Sequence, residues 1–320
     1  MNSSIPHLGE ISALAAAFFW SFTAVFFSEA GRIIGSYRVN KIRLLFAIVI
    51  YMAILTITTG SPVPLGLNVT QIGWLSVSGI IGLSIGDAAG FKALVMIGPR
   101  LTTLLFCTVP IVTTLVAWVF LGERLHIVDL LGVAITIAGV SWVVMERRFQ
   151  ADNRFALHED HPDRGTLARG VFLATVASIC QALGLVLSKQ GMMYAGSTVD
   201  PMQASMVRMF AGAAGIWGYA VIRGEAVDTL RSLRQGKAML FTLGGATFGP
   251  FLGVWSSLVA LAHTSAGIAA TLNSTSPILI LPTVILYYKE RVSLRALVGA
   301  VIAVIGVTIL FLGDEVFGIR

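Results

Sequence analysis

Ten apolar segments, each close to 20 residues long, follow one another almost without a break, and this leaves the chain few folds to choose from. A helix needs about 20 apolar residues to cross a hydrocarbon core roughly 30 Å thick, and inside lipid every backbone polar group must be satisfied internally. The segments run Ile11–Phe27, Val39–Thr59, Ile72–Leu94, Leu101–Leu121, Ile127–Met145, Val171–Leu187, Met202–Ile222, Met239–Ala262, Gly267–Tyr287 and Ala296–Leu312. With 56% hydrophobic and only 12% charged residues, the composition lies far from that of a soluble domain. The expectation is an all-α membrane protein of ten transmembrane helices. The opening MNSSIPHLGE has no Lys or Arg, so the first segment lacks the basic flank of a secretory signal and is expected to remain as a helix.

Sliding the chain on itself by 167 positions aligns Pro110 with Pro277, Glu123-Arg124 with Glu290-Arg291, Gly132 with Gly299, and Gly139 with Gly306. The chain is therefore an internal duplication. Residues 1–146 form a first repeat, 147–168 a polar linker, and 169–320 a second repeat. Five helices is an odd number, so the second copy enters the membrane from the opposite side. Two inverted five-helix repeats of this kind typically build secondary transporters, with a binding site near the bilayer midplane where the repeats meet.

The stretch GLSIG, Gly82 to Gly86, has the G-x-S-x-G spacing of a hydrolase nucleophile elbow, and Asp87 follows it. An elbow needs its serine on a sharp strand-to-helix turn. On the repeat offset Gly82 and Gly86 meet Gly249 and Gly253, whereas Ser84 meets Phe251 and Asp87 meets Val254. The small residues recur and the would-be nucleophile does not. Gly82, Gly86 and Gly90 then read as a stripe for close helix approach in lipid. A membrane hydrolase using Ser84 is the weaker alternative, and a non-transporting scaffold or receptor is another. No catalytic residue is expected.

Of the 22 Lys and Arg, Arg43 and Arg208 fall within spans. The odd-numbered loops hold seventeen of the rest, against three in the termini and even loops, which places the odd loops in the cytoplasm and both termini outside. Basic residues beside helices set orientation, so the net charge of +6 is no sign of nucleic-acid binding. In the linker, His158, Glu159, Asp160, His161 and Asp163 lack a second cluster to complete a coordination shell, so no metal is expected. Asn68-Val69-Thr70 fits a glycosylation sequon, a weak motif in a loop. Cys107 and Cys180, inside spans, read as packing thiols.

Candidate working residues are polar groups at membrane depth. Pro110 and Pro277 fall within the fourth and ninth helices, where each frees the carbonyl four residues earlier, those of Phe106 and Asn273. Asn273-Ser274-Thr275-Ser276 is the most polar run inside any segment, and Asn273, Ser274 and Ser276 are the first choice for a substrate-facing surface. Hydroxyls bonding back to the preceding turn would equally account for the run. Its counterpart includes Thr108. Trp20 and Ser21 match Cys180 and Gln181 at a shift of 160, and both pairs are candidates for the same cavity, with packing as the other reading for Trp20. Trp255 reads as core. Arg43 and Arg208 enter the second and seventh helices at matching places, where a charge faces a cavity, pairs, or snorkels to the headgroups. Asp87 is placed either to pair with Arg43 or to carry a proton alone. Glu123 and Glu290 read as structural, each beside the positive N-terminal end of the next helix.

These residues, together with Ala93-Leu94, Ala260-Leu261, Gly122-Glu123-Arg124 and Lys289-Glu290-Arg291, set the comparison with known families. Taken from 11 to 312, the chain resembles the drug/metabolite transporter superfamily, specifically its EamA-type ten-helix permeases. The resemblance implies a small-molecule permease of the cell membrane, commonly an exporter of amino acids or other metabolites. Its implied partners are a solute, the bilayer and a proton gradient, with no cofactor, and no Walker A motif points to ATP. It also implies both termini in the cytoplasm, opposite to the loop charges.

Overall fold

The computed structural model describes residues 6–146, 164–196, 198–279 and 294–317. Among them, nine helices are long and apolar enough to cross a membrane. They are α1 Leu8–Ile34, α2 Ser36–Thr59, α3 Val69–Gly98, α4 Leu101–Leu121, α5 Ile127–Met145, α6 Arg164–Met192, α7 Pro201–Ile222, α8 Gly236–His263 and α10, whose span is Leu294–Phe311. Between the last two lies α9, Ala266–Asn273, followed by a turn and the short helix Ser276–Leu279. The remainder of the expected ninth span, through Tyr287, lies outside the described residues, as do Glu290 and the linker cluster from His158 to Asp163. Residues 164–168, expected in the linker, instead form the first turns of α6.

The two halves share irregularities as well as helices. A π-helical stretch interrupts α3 at Ile80–Gly86, and another interrupts α8 at Thr247–Gly253, 167 residues on. Helical structure also lapses at Cys107 and Thr108 in α4 and again at Ser274 and Thr275 after α9. Each proline therefore stands at the start of a fresh helix, where its missing N–H removes no internal hydrogen bond. The expectation that both prolines fall within a helix is corrected: each begins a helix after a break.

α5 and α10 cross so closely that glycine is required at the contact. A Cβ on Gly139 would lie 2.7 Å from the Gly299 carbonyl oxygen, and one on Gly306 would lie 2.9 Å from that of Gly132. Because Gly299 is the repeat mate of Gly132 and Gly306 that of Gly139, these contacts exchange under a two-fold rotation, the signature of an isologous interface. The helices run antiparallel there, as inverted repeats require.

The Gly82, Gly86 and Gly90 stripe lies against α6. Cβ atoms built on the three would stand 3.6 Å from the Gly184 Cα, 2.9 Å from the Cys180 Cβ and 3.5 Å from the Ala177 Cβ. Ser84 is buried within this helical stretch, with its Oγ 2.7 Å from where a Cβ of Gly215 would stand. No elbow exists at Ser84. Asn68 caps α3 by accepting from the Gln71 amide at 2.8 Å, which explains the asparagine of the sequon locally.

Candidate functional site

Arg43 lies two turns inside α2 and is only 3% exposed, so it does not snorkel. Its Nε donates to Asn40 Oδ1 at 2.9 Å, its Nη2 donates to Asp87, and its guanidinium stands 5.7 Å and 5.5 Å from the ring centres of Phe27 and Phe91. Asp87 follows the π turn, and its other oxygen accepts from Gln181 Nε2 at 2.7 Å. The same amide nitrogen reaches the Gly82 carbonyl at 3.4 Å. Of the two sequence readings of Asp87, the structure contains the pair with Arg43. Gln181 finds the polar partner that a buried amide needs.

Arg208, in the matching place on α7, is equally buried but differently satisfied. Its Nε has no hydrogen-bond partner. A Cβ on Gly79 would come within 2.9 Å of the Arg208 Cα, so α3 holds this turn of α7 close. Nearby, the fully buried Tyr51 donates to the carbonyls of Pro250 and Phe251 at 3.1 and 2.9 Å, bridging α2 to the second π turn.

The polar run beside Pro277 resolves into two kinds of group. Ser274, Thr275 and Ser276 donate back to the carbonyls of Thr271, Leu272 and Asn273 at 2.6, 2.7 and 2.9 Å. Thus the Asn273 carbonyl, expected to be freed by Pro277, is taken by Ser276. Asn273 Oδ1, by contrast, is buried and has no partner. It borders a crevice with Leu185, Ser257, Leu261, Ala269 and Ala270 that has no room for a water molecule. Thr108 is exposed and donates to Leu105 at 2.6 Å, and Ser21 donates to Phe18 at 2.7 Å, so both hydroxyls are committed within their own turns. Trp20 packs onto the second π turn, its Nε1 3.0 Å from where a Gly253 Cβ would stand, and Trp255 joins the adjoining apolar cluster, as its core reading expects.

One turn above that crevice, along α6, α8 and α9, is a network that the sequence reading did not assemble. Lys189 Nζ donates to the Thr264 carbonyl and pairs with Glu123 Oε1, both at 2.6 Å. Glu123 Oε2 accepts from the Ala266 amide at 2.8 Å, and Thr264 Oγ1 donates to Glu10 at 2.8 Å. Glu123 therefore serves the N-terminus of α9 in the other repeat, which corrects the expectation that it serves the next helix. Outside the network opens a cavity of about 460 Å³, bordered by His126, Asp129, His263 and Ser265. A lysine in the last turn of an apolar helix was the available signal, but only as a loop charge.

An inverted bundle with ionised groups buried between its repeats, and a cavity leading toward them, has the build of a secondary transporter. A model of the EamA-like transporter family matches residues 7–145 and again 168–312. The chain belongs to this family and is a multi-pass membrane transporter of the drug/metabolite type. A solved crystal structure 15% identical in sequence covers 98% of this chain, and 99% of its own chain is covered, with a TM-score of 0.72. At that identity the likeness is one of fold. No curated protein matches the sequence.

Proposed function

We propose that this protein moves a small polar metabolite or amino-acid-like solute across the plasma membrane by alternating access, working as an exporter. Three features along α6, α8 and α9 support this reading: the cavity, the Lys189–Glu123 lid beneath it, and the unpartnered Asn273 oxygen below the lid. Asn273 would accept a hydrogen bond from solute, with Ser274, Ser276, Trp20, Ser21, Gln181 and Thr108 as the remaining candidates of the path. Loss of the lid opens the cavity side. A proton gradient would act at Asp87, where protonation releases Arg43, and Asp87→Asn then loses gradient-driven transport yet keeps exchange. The halves that rock are residues 1–146 and 169–320.

Purified protein in sealed vesicles, loaded with a metabolite panel with and without a proton gradient, tests the reading. Release of at least one solute well above empty vesicles is expected, faster in Glu123→Gln if lid opening limits the rate. A scaffold or receptor would release none of the panel under either condition.

A further inference from the structure

The two buried guanidinium groups occupy matching places in the repeats, yet only Arg43 is hydrogen-bonded to a carboxylate. Arg43 is paired with Asp87, whose repeat mate is Val254. Val254 is 5% exposed and lies in an apolar cluster with Met206 and Met209, the helical neighbours of Arg208. Where symmetry would put a second carboxylate, the chain has a valine. Arg208 is 3% exposed, and its Nε lacks any partner. The side chain it faces on α3 is also missing, because Nη2 lies 3.6 Å from where a Cβ of Gly82 would stand.

A buried guanidinium with no carboxylate bonded to it is costly at membrane depth, and such residues mark solute or ion paths. The geometry points to Arg208 as the receptor for a solute carboxylate, and to a preferred solute that is a small monocarboxylate of net charge −1. This rests on the transporter reading and narrows its solute class. The charge count decides between a monoanion and a zwitterion. Arg43 and Asp87 cancel, so Arg208 leaves the cluster at +1. A monoanion brings the occupied site to neutrality, whereas a zwitterion leaves the charge in place and adds an ammonium that would have to share Asp87 with Arg43 and Gln181. A guanidinium fork suits a carboxylate through two parallel hydrogen bonds.

The test uses the purified full chain with two readouts, thermal stabilisation in detergent and counterflow in proteoliposomes. The probes are monocarboxylates of two to six carbons, each beside its carboxamide and its 2-amino counterpart, for example lactate, lactamide and alanine. At least one carboxylate should stabilise the wild-type protein and be carried at least tenfold faster than its two counterparts. Arg208→Gln should abolish that preference without lowering the melting temperature of the empty protein, because it removes a buried charge that has no bonded carboxylate. Arg208→Lys should retain part of it, and Gly82→Ala, which narrows the space beside Nη2, should weaken it. Equal handling of lactate, lactamide and alanine by the wild type, or an undiminished carboxylate preference in Arg208→Gln, overturns the inference while leaving transport intact. Arg208-dependent stabilisation by carboxylates with no counterflow of any probe would instead retain the receptor and reject the transporter reading.

Discussion

Gln181 of the second repeat donates to Asp87 of the first at 2.7 Å, so the ion pair between Arg43 and Asp87 is completed by a side chain from across the pseudo-two-fold axis. The charge cluster is thus a joint between halves as well as a pair within one. Its integrity reports on how α2, α3 and α6 sit together.

Arg43→Ala should therefore lower the stability of the purified protein by about 3–5 kcal/mol, the usual penalty for leaving one member of a buried pair uncompensated. The double variant Arg43→Gln/Asp87→Asn should recover most of the loss. Denaturation in detergent by tryptophan fluorescence reads both, and a double variant no better than Arg43→Ala would mean that the pair does not act as a unit.

Close approach at the glycine stripe predicts asymmetry within GLSIG. Gly86→Leu puts a side chain where even a Cβ would stand 2.9 Å from Cys180, and overpacking of this kind typically costs about 1–3 kcal/mol. Ser84→Ala removes only a hydroxyl and should leave folded yield in detergent unchanged. Loss of a hydrolase activity in Ser84→Ala, with folding intact, would restore the elbow reading.

At the break after α9, Asn273→Ala should slow solute counterflow severalfold at near-normal membrane levels, because it removes one acceptor worth about 0.5–1.5 kcal/mol net. Asn273→Leu should be slower still, since its branched side chain meets the crevice with Leu261 and Ala269. Wild-type counterflow by Asn273→Leu across the whole panel would move the site elsewhere.

Orientation is testable with single cysteines. With odd loops in the cytoplasm, cysteines replacing Arg231 and Asn153 should react with an impermeant maleimide only after permeabilisation, whereas one at Leu65 should react in intact cells. The reverse pattern would put both termini inside and turn the cavity above Lys189 toward the cytoplasm.

Glu225, in the loop after α7, has its carboxyl held below the ordinary range chiefly by a 2.5 Å hydrogen bond from Lys41. A depressed carboxyl stabilises the folded state above the unfolded-state pKa and loses that contribution as pH falls through the folded one. Glu225→Gln should therefore lower the melting temperature slightly near pH 7, and the gap to wild type should close on acidification. The side chain is 46% exposed, so the difference is small. A gap that widens at low pH would contradict the assignment.

Much of this was legible in the sequence because lipid leaves so few options. The spans, the duplication and its inversion followed from segment length, the 167-residue offset and an odd helix count. Pairing was less legible. Nothing in Gln181 or Asp87 alone says that they meet, since the contact depends on how α3 and α6 are rotated, and Glu123 could be placed near a helix N-terminus but not near the one in the other repeat. Lys189 looked like a loop charge because its partners, Thr264 and Glu123, come from distant segments. The serines near Pro277 were read as open to solute or to their own turn, and hydrogen-bond geometry alone could show them donating inward.

The π-helical stretches at Ile80–Gly86 and Thr247–Gly253 give chain length a role apart from side-chain identity. Each α-helical residue advances the chain by about 100° around the axis, and a π turn holds one residue more than the α turn it replaces. Removing one residue from 80–86 would thus straighten α3 without breaking it and leave Asp87 near its present azimuth, whereas removing one from the α-helical stretch before Ile80 would swing it through about 100°, away from Arg43 and Gln181. A deletion within the π turn is absorbed by the turn itself, and only one outside it turns the rest of the helix as a rigid shaft. The same excision in 247–253 would leave Trp255 near its present azimuth, and Gly244 and Gly245 where Phe26 and Phe27 meet them.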